Sequence, residues 1–386
     1  MDVHMQGNPM KVAILTFYYR IYNYGALLQS YALAKAVSLL GADCQQITYV
    51  RDRKGLFLRK LRRILQVPSR QRKVFFRAQL RRISRKFFKK KPSPFMVATK
   101  KAFNRFAEDI PHTPVVDRES IKTLVPDFDV FIVGSDQVWN PEFVSMRYFF
   151  DFLPDGKKRA SYAASIRIPR FEKKEGAVIK ALVDKFDCVS VREKTGVGIL
   201  QDIGVSKEIH VVLDPTMLLP PESWQEMLKE PEIRERYVFS YLIREASVRK
   251  QIEEIARARG CKIVEIASPD AYSGPRGDLY VDLDFVGPRE FVGLIKNAEC
   301  VFPDSFHGTA LAVVFEKNFA VISGDETDDR KTTLLASLGL RDRVIPPDGD
   351  LAAVVARPID YRAVKEKLGV LQESSWNVLR EIVSQK

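Results

Sequence analysis

The stretch from Lys11 to Val50, KVAILTFYYRIYNYGALLQSYALAKAVSLLGADCQQITYV, decides the fold. KVAILTF is a short apolar run that suits a buried strand, and Asn23, Tyr24 and Gly25 read as a turn. ALLQSYALAKAVSLLG has helical periodicity and stops at Gly41, after which DCQQITYV reads as a second strand. Strand, helix and strand in this order make a βαβ unit, which implies a parallel sheet.

The alternation continues outward. KKAFNRFAEDI reads as a helix, DVFIVGS and RASYAASI as strands, and EGAVIKALVDKF as a helix. DCVSVRE is a strand that delivers Arg192 at its carboxyl end, and IHVVLDP is one that ends at Asp214 and Pro215. A second series starts at Tyr237 with YVFSYLI, SVRKQIEEIARARG and CKIVEIA, runs through ECVFPDS and HGTALAVVFEK, and closes in helices. The halves meet near Pro220 and Pro221, which predicts an α/β protein of two Rossmann-like domains, 11–219 and 220–386, facing a cleft.

Composition narrows the class. With 386 residues, 46% hydrophobic and 29% charged, the chain supports two ordinary cores and is not a disordered polymer. Cys44, Cys188, Cys261 and Cys300 are far apart and no histidine stands at metal-ligand spacing, so neither a disulfide framework nor a metal site is expected. No run approaches the roughly 20 apolar residues of a membrane span, and MDVHMQGNPMK lacks a signal-peptide core. A cytoplasmic location is the expectation.

The net charge of +13 is concentrated: residues 51–91 hold 18 Lys plus Arg against Asp52, which is +17 there and −4 elsewhere. Leu58, Leu61 and Leu65, then Phe76, Leu80, Ile83 and Phe87, recur at helical spacing around a break at Pro68, predicting two basic amphipathic helices inserted in the first domain. Three uses are open: a solvated insertion covering the domain, a surface for anionic phospholipid or a lipid-linked substrate at the inner face of the plasma membrane, and nucleic-acid binding. Nucleic acid is disfavoured because aliphatics interleave the cations and no nucleic-acid motif accompanies them.

Asp304, Ser305, Phe306, His307, Gly308, Thr309 and Ala310 place an imidazole between a strand, CVF, and the start of a helix, GTALAVVF. Helix N-termini at the carboxyl edge of a sheet bind anions and gather catalytic groups. His4 lies in an N-terminal extension, His112 in a polar loop after Pro111, and His210 begins the apolar run HVVL. That leaves His307 as the histidine placed for proton transfer, with a hydrogen bond tying strand to helix as the structural alternative. Asn23, Tyr24 and Gly25 precede a helix and form either a phosphate cradle or a simple tight turn. Asp136, Gln137, Trp139 and Asn140 follow a buried strand and suit either sugar recognition or helix capping. Arg192 suits a carboxylate or phosphate, unless it is already paired with a nearby acid.

Read together, FYYRIYNYGALLQSYAL, FDVFIVGSDQVWNP, VSVREKTG, VVLDPTMLL and DSFHGTALAVVFEKNFAVI resemble, in this order, the polysaccharide pyruvyl transferase family. The resemblance runs from Lys11 to about Arg343 apart from the basic insertion. It implies a two-domain fold like that of GT-B glycosyltransferases and transfer of pyruvate from phosphoenolpyruvate to a sugar as a ketal in cell-surface polysaccharide synthesis. It also implies no cofactor beyond that co-substrate, and an acceptor that is free, nucleotide-linked or lipid-pyrophosphate-linked. The family's catalytic histidine matches His307 and its arginine in the xVRE stretch matches Arg192.

Two positions depart from the pattern. Some members carry arginine two residues before the histidine, where this chain has Ser305; Lys194, Arg330 and Lys331 are candidate replacements. A histidine of the first domain is matched by Ser165. The reading that follows gives His307 and Asp136 proton transfer. Arg192, Ser305, Gly308, Thr309, Lys194 and Arg330 hold the donor, and Asn23, Tyr24, Gly25, Gln137 and Trp139 hold the acceptor. Two rivals stand beside it: a GT-B-like glycosyltransferase using a nucleotide sugar with Glu316 at the ribose, and a non-catalytic glycan-binding or assembly protein.

Overall fold

The computed structural model describes residues 8–50, 93–141, 145–242, 248–267, 277–323 and 329–384. The basic stretch 51–91 lies outside the described residues, and with it the two expected amphipathic helices.

The first half contains β1 (Lys11–Leu15), α1 (Tyr24–Leu39), β2 (Asp43–Gln46), α2 (Pro94–Glu108), β3 (Val130–Asp136), β4 (Lys158–Ala164), α3 (Lys173–Val183), β5 (Val189–Val191), α4 (Lys194–Asp202) and β6 (Ile209–Val211). The second contains α5 (Pro221–Gln225), β7 (Tyr237–Leu242), α6 (Arg249–Arg259), β8 (Lys262–Ala267), α7 (Pro288–Asn297), β9 (Cys300–Pro303), α8 (Phe306–Val314), β10 (Asn318–Phe319), β11 (Val321–Ile322), α9 (Asp329–Ser337), β12 (Val344–Ile345), α10 (Leu351–Ala356) and α11 (Tyr361–Val383).

The first sheet is six-stranded in the order β2-β1-β3-β4-β5-β6, the second four-stranded in the order β10-β9-β7-β8, and the strand pairs in both are parallel. In each, the winding direction reverses once, between β1 and β3 in the first and between β7 and β9 in the second. Crevices open at such reversals outside the strand carboxyl ends, so topology alone points to the residues after β1, β3, β7 and β9. These are two Rossmann-like domains, as the alternation in sequence predicts.

The strands read as apolar runs because both faces are covered: Val12, Ala13, Ile14 and Leu15 have no exposure, nor have Phe131, Ile132 and Val133. One apolar cluster runs through both halves, joining Leu27, Leu28 and Leu33 of α1 to Phe291 of α7 and Leu311 of α8. Tyr24 belongs to this seam. Its ring stacks on Phe291 at 4.3 Å and its hydroxyl donates to the Val286 carbonyl at 2.8 Å, so it is an interdomain packing residue rather than an acceptor contact.

The C-terminal helix returns to the first half. The Gln372 amide donates to the Met217 carbonyl at 2.7 Å, the Leu213 amide to Ser375 Oγ at 2.9 Å, and Lys158 Nζ to the Ser384 carbonyl at 2.9 Å.

Two helix starts differ from expectation. Asn23 is the N-cap of α1, accepting from the Ala26 amide at 3.0 Å, so Tyr24 and Gly25 lie in the first helical turn. Ser305 caps α8 in the same way, which puts His307 inside that helix instead of before it. The strand expected to end at Asp214 stops at Val211, and Asp214 caps a short 3-10 turn.

Candidate functional site

Four strand ends and two helix N-termini converge on one buried polar network. From α1, Gln29 Nε2 donates to Thr16 Oγ1 (3.0 Å), which donates to the Ser135 carbonyl (2.9 Å); Ser135 Oγ donates to Asp214 Oδ2 (2.7 Å). Asp214 also takes Arg192 Nη1 at 2.7 Å, and on Oδ1 the Thr216 amide at 3.0 Å and hydroxyl at 2.7 Å. Arg192 Nε reaches Glu193 Oε1 at 3.2 Å, and Ser165 Oγ donates to the same oxygen at 2.6 Å. A chain of charge-assisted bonds thus crosses the carboxyl edge of the first sheet, where burial strengthens each link.

The second domain closes onto this network through Phe306 and His307. The Phe306 ring lies 4.4 Å from the Arg192 guanidinium, and His307 Nε2 lies 3.5 Å from Asp214 Oδ2. On its other side the imidazole rests on Gly25, where an added Cβ would sit 1.9 Å from Nδ1. Glycine is required there by close approach. Gly25 is in the first turn of α1 and His307 in the first turn of α8, so the ring sits between two helix N-termini.

Electrostatics follow from the pairing. Burial pushes the Asp214 carboxyl up, but the His307 ring, the Arg192 guanidinium and the Ser135 hydroxyl outweigh it and hold the group well below the usual carboxylate range. Glu193 is shifted the other way: burial raises it, and Arg192 and Ser165 recover only part. Two carboxylates sharing one guanidinium are therefore driven apart.

A cavity of ≈ 150 Å³ opens beside the imidazole, lined among others by Asn23, Gly25, Asp136, Gln137, Ser305 and Arg330. Asp136 ends β3 at φ 67°, a left-handed conformation that costs a non-glycine residue energy and is held by its Oδ1 accepting the Gln137 amide at 2.9 Å. Beyond Glu193 and Arg330 lies a larger cavity of ≈ 550 Å³ walled by Arg167, Ile168, Thr195 and Asp202.

Several expected site residues are elsewhere or otherwise engaged. Trp139 has no exposure; it stacks on Phe149 at 5.3 Å and donates Nε1–H to the Tyr148 carbonyl at 2.9 Å, so it is core and not a sugar platform. The Gly308 amide is taken by Ser305 Oγ (3.0 Å), the Thr309 amide by the Ser305 carbonyl (3.1 Å) and the Thr309 hydroxyl by that same carbonyl (2.9 Å). Neither residue offers the donor an N–H. Arg192 takes the ion-paired alternative, its side chain 2% exposed beside Asp214 and Glu193.

Lys331 Nζ donates to the Asp304 carbonyl at 2.9 Å and the Ile322 carbonyl at 3.3 Å, which removes it from the candidates to replace an arginine at Ser305. Lys194 is exposed and lines a side cavity of ≈ 100 Å³ that His307 does not reach. Arg330 lines all three cavities. Ser165, which stands where some family members carry a histidine, is buried and donates to Glu193. Glu316 pairs with Lys365 at 2.7 Å past the far end of α8, about 13 Å along the helix from His307. The sequence reading missed Asp214 and Glu193 as site residues, although both stand in the quoted strings VVLDP and VSVRE.

A histidine beside a buried carboxylate thus lies where helix N-termini of two parallel α/β domains face each other. The sequence profile described as polysaccharide pyruvyl transferase matches residues 23–326, and the chain belongs to that family. No curated protein shows significant similarity. Similar solved structures include UDP-GlcNAc 2-epimerase from Methanocaldococcus jannaschii, 14% identical, covering 94% of this chain and 93% of that one with a TM-score of 0.47. The Neisseria meningitidis UDP-GlcNAc 2-epimerase bound to UDP-GlcNAc is 13% identical over 98% and 95%, TM-score 0.46. The glycosyltransferase SnogD from Streptomyces nogalater is 11% identical over 97% and 98%, TM-score 0.41. Among the described residues no helix is long and apolar enough to cross a membrane.

Proposed function

We propose that this family member transfers the pyruvate unit of phosphoenolpyruvate to a sugar as a cyclic ketal, with His307 as the proton donor. The observation that carries the reading is the position of the imidazole, set between Gly25 and Asp214 and opening on a cavity shared with Arg330.

The chemistry requires a proton at the methylene carbon of the enol phosphate. Its addition makes C2 an oxocarbenium-like centre, and a sugar hydroxyl adds there while losing its proton. The C2–O bond to phosphate then breaks, and a second hydroxyl of the same sugar closes the ketal. Of the two hydroxyl protons, one balances that placed on the methyl group and the other leaves with phosphate. Asp214 at Nε2 favours the tautomer with its proton on that nitrogen, which leaves Nδ1 to exchange protons with substrate. His307 and Asp136 both line the donor cavity, so either accepts a hydroxyl proton.

Cavity volume supports a division into subsites. The ≈ 150 Å³ cavity is smaller than the roughly 300 Å³ at which pockets for larger organic ligands begin, and it suits a three-carbon enol phosphate. The ≈ 550 Å³ cavity suits a sugar with part of its carrier. On this reading Asn23, Gly25 and Gln137 belong to the donor pocket, and Arg167, Thr195 and Asp202 face the acceptor. Arg330, at the junction, supplies the donor with the guanidinium that Ser305 lacks.

The +17 of residues 51–91 supports an anionic membrane partner and hence an acceptor presented on a lipid carrier at the inner membrane face. The test of the function is phosphate release from phosphoenolpyruvate over a panel of galactose, mannose, glucuronate and N-acetylmannosamine acceptors, free, nucleotide-linked and lipid-linked. Acceptor-dependent release is expected; silence across the panel with no donor binding by calorimetry would overturn the reading.

A further inference from the structure

Outside the His307 cavity, Cys188 and His210 of the first domain and Glu381 of the last helix bring a thiol, an imidazole and a carboxylate together, their ligand atoms all within 4.8 Å of one another. Strand register explains two of them. Ser190 pairs with His210 across β5 and β6, and side chains alternate along a strand, so Cys188, just before β5, shares a sheet face with both. Glu381 arrives from the last turn of α11, whose end is fixed by Lys158 Nζ donating to the Glu381 carbonyl at 3.3 Å and the Ser384 carbonyl at 2.9 Å. Neither the Cys188 thiol nor the Glu381 carboxylate hydrogen-bonds another described side chain.

We propose that Cys188, His210 and Glu381 form a site for a divalent transition metal, zinc by preference, that staples the end of α11 to the edge of the first sheet. Zinc takes sulfur, nitrogen and oxygen ligands together in a tetrahedron, and three protein ligands leave the fourth place to water. Ligand bonds of roughly 2.0–2.3 Å in a tetrahedron put donor atoms about 3.3–3.7 Å apart, so the side chains close by up to about 1.5 Å. Glu381 is exposed on a flexible stem and can make that movement. Glu208 Oε1 lies 3.6 Å from His210 Nδ1 and adds a further carboxylate beside the ring. An open cavity of ≈ 440 Å³ lined by His210, Glu373, Asn377 and Glu381 gives the ion its way in. On binding, the thiol proton leaves to solvent and the thiolate takes the metal.

The site has a structural consequence. The α11 helix starts in the second half of the chain and ends on the first, so an ion at its end holds the two halves in the arrangement that seats His307 on Gly25.

The full-length chain, stripped with chelator and desalted, is titrated with zinc against a chromophoric chelator and separately with cobalt(II). One ion per chain, a thiolate-to-cobalt charge-transfer band and a raised thermal midpoint are expected. His210→Gln and Glu381→Gln should each weaken binding at least 10-fold, and Cys188→Ser should remove the band. The two glutamine variants alter partly or fully exposed groups, so they remain informative if Cys188→Ser does not fold. A folded wild-type chain that shows no charge-transfer band, or zinc affinity unchanged in both glutamine variants, overturns the proposal.

Discussion

A Cβ placed on Gly25 would lie 1.9 Å from Nδ1 of His307, so the two domains meet where a ring of one occupies the space a side chain of the other would need. Gly25→Ala keeps the helix, since alanine is the better helix former, but must push the imidazole off Asp214. Misplacing a reacting group by about 1 Å costs on the order of 10²-fold. Turnover is expected to fall by at least that factor while circular dichroism holds and the thermal midpoint drops, since overpacking a buried contact costs about 1–3 kcal/mol. Near-wild-type turnover would show that the ring is not required where it stands.

Replacing the imidazole itself should cost ~10²- to 10⁴-fold in kcat, the usual worth of a general acid. His307→Gln preserves bulk and hydrogen bonding and removes the transferable proton. Phosphate release with a competent acceptor is the measurement, with donor affinity by calorimetry as the control. A loss confined to KM would make His307 a binding residue and move the proton to Asp136.

Asp214 is fully buried and its carboxyl is held well below the usual range, against the pull of burial, by His307, Arg192 and Ser135. A depressed folded-state pKa contributes stability above the unfolded value of about 3.9 that is lost as pH falls toward the folded one. Asp214→Asn leaves Arg192 with one carboxylate partner and should destabilise by about 3–5 kcal/mol at pH 7. The gap to wild type should narrow below about pH 4. Urea midpoints at pH 7 and pH 3.5 read this, and a gap that stays constant would show that another group carries the linkage.

The strands Lys11–Leu15 and Val130–Asp136 were legible because strands buried on both faces read as apolar runs, whereas β2, DCQQ at the sheet edge, followed only from the helix stop at Gly41. His307 stood out by the company of a strand and a small-residue helix. Gly25 was visible as a glycine, but its reason lies in the other domain, and no local pattern encodes that contact. Asp214 was hidden differently: VVLDP looks like a strand end, and its role needs Ser135, Arg192 and His307 brought in from three other elements. Tyr24 and Trp139 misled because an amphipathic ring beside polar neighbours suits a sugar and a core equally. The stacking partners Phe291 and Phe149, which decide it, come from packing.

The charge of residues 51–91 makes a further test independent of the site. Each cation near an anionic lipid surface adds about 1 kcal/mol, so binding to phosphatidylserine-containing vesicles should be strong at low salt and fade as the Debye length shortens. Neutralising Arg62, Arg63, Arg81 and Arg82 should weaken sedimentation with those vesicles and leave turnover of a free sugar acceptor unchanged. Vesicle binding equal to wild type would remove the membrane from the account.

The cation that serves the donor is decided by comparing three variants. Arg330 lines the His307 cavity, Lys194 lines a side cavity without His307, and Lys331 is bonded to the carbonyls of Asp304 and Ile322. A hydrogen bond to a charged group contributes about 1.5–3 kcal/mol, equivalent to roughly 10- to 150-fold in affinity. Arg330→Ala should therefore raise KM for phosphoenolpyruvate by about that factor, with Arg330→Lys recovering part of the loss because the charge returns without the planar fork. Lys194→Ala should leave KM within about 3-fold, as an exposed charge outside the cavity is screened by solvent. Lys331→Ala should lower the thermal midpoint more than it raises KM, since it unpairs two buried carbonyls. If Lys194→Ala gives the large KM effect and Arg330→Ala does not, the donor lies in the side cavity beside Arg192, and the assignment of the ≈ 150 Å³ cavity to phosphoenolpyruvate fails with it.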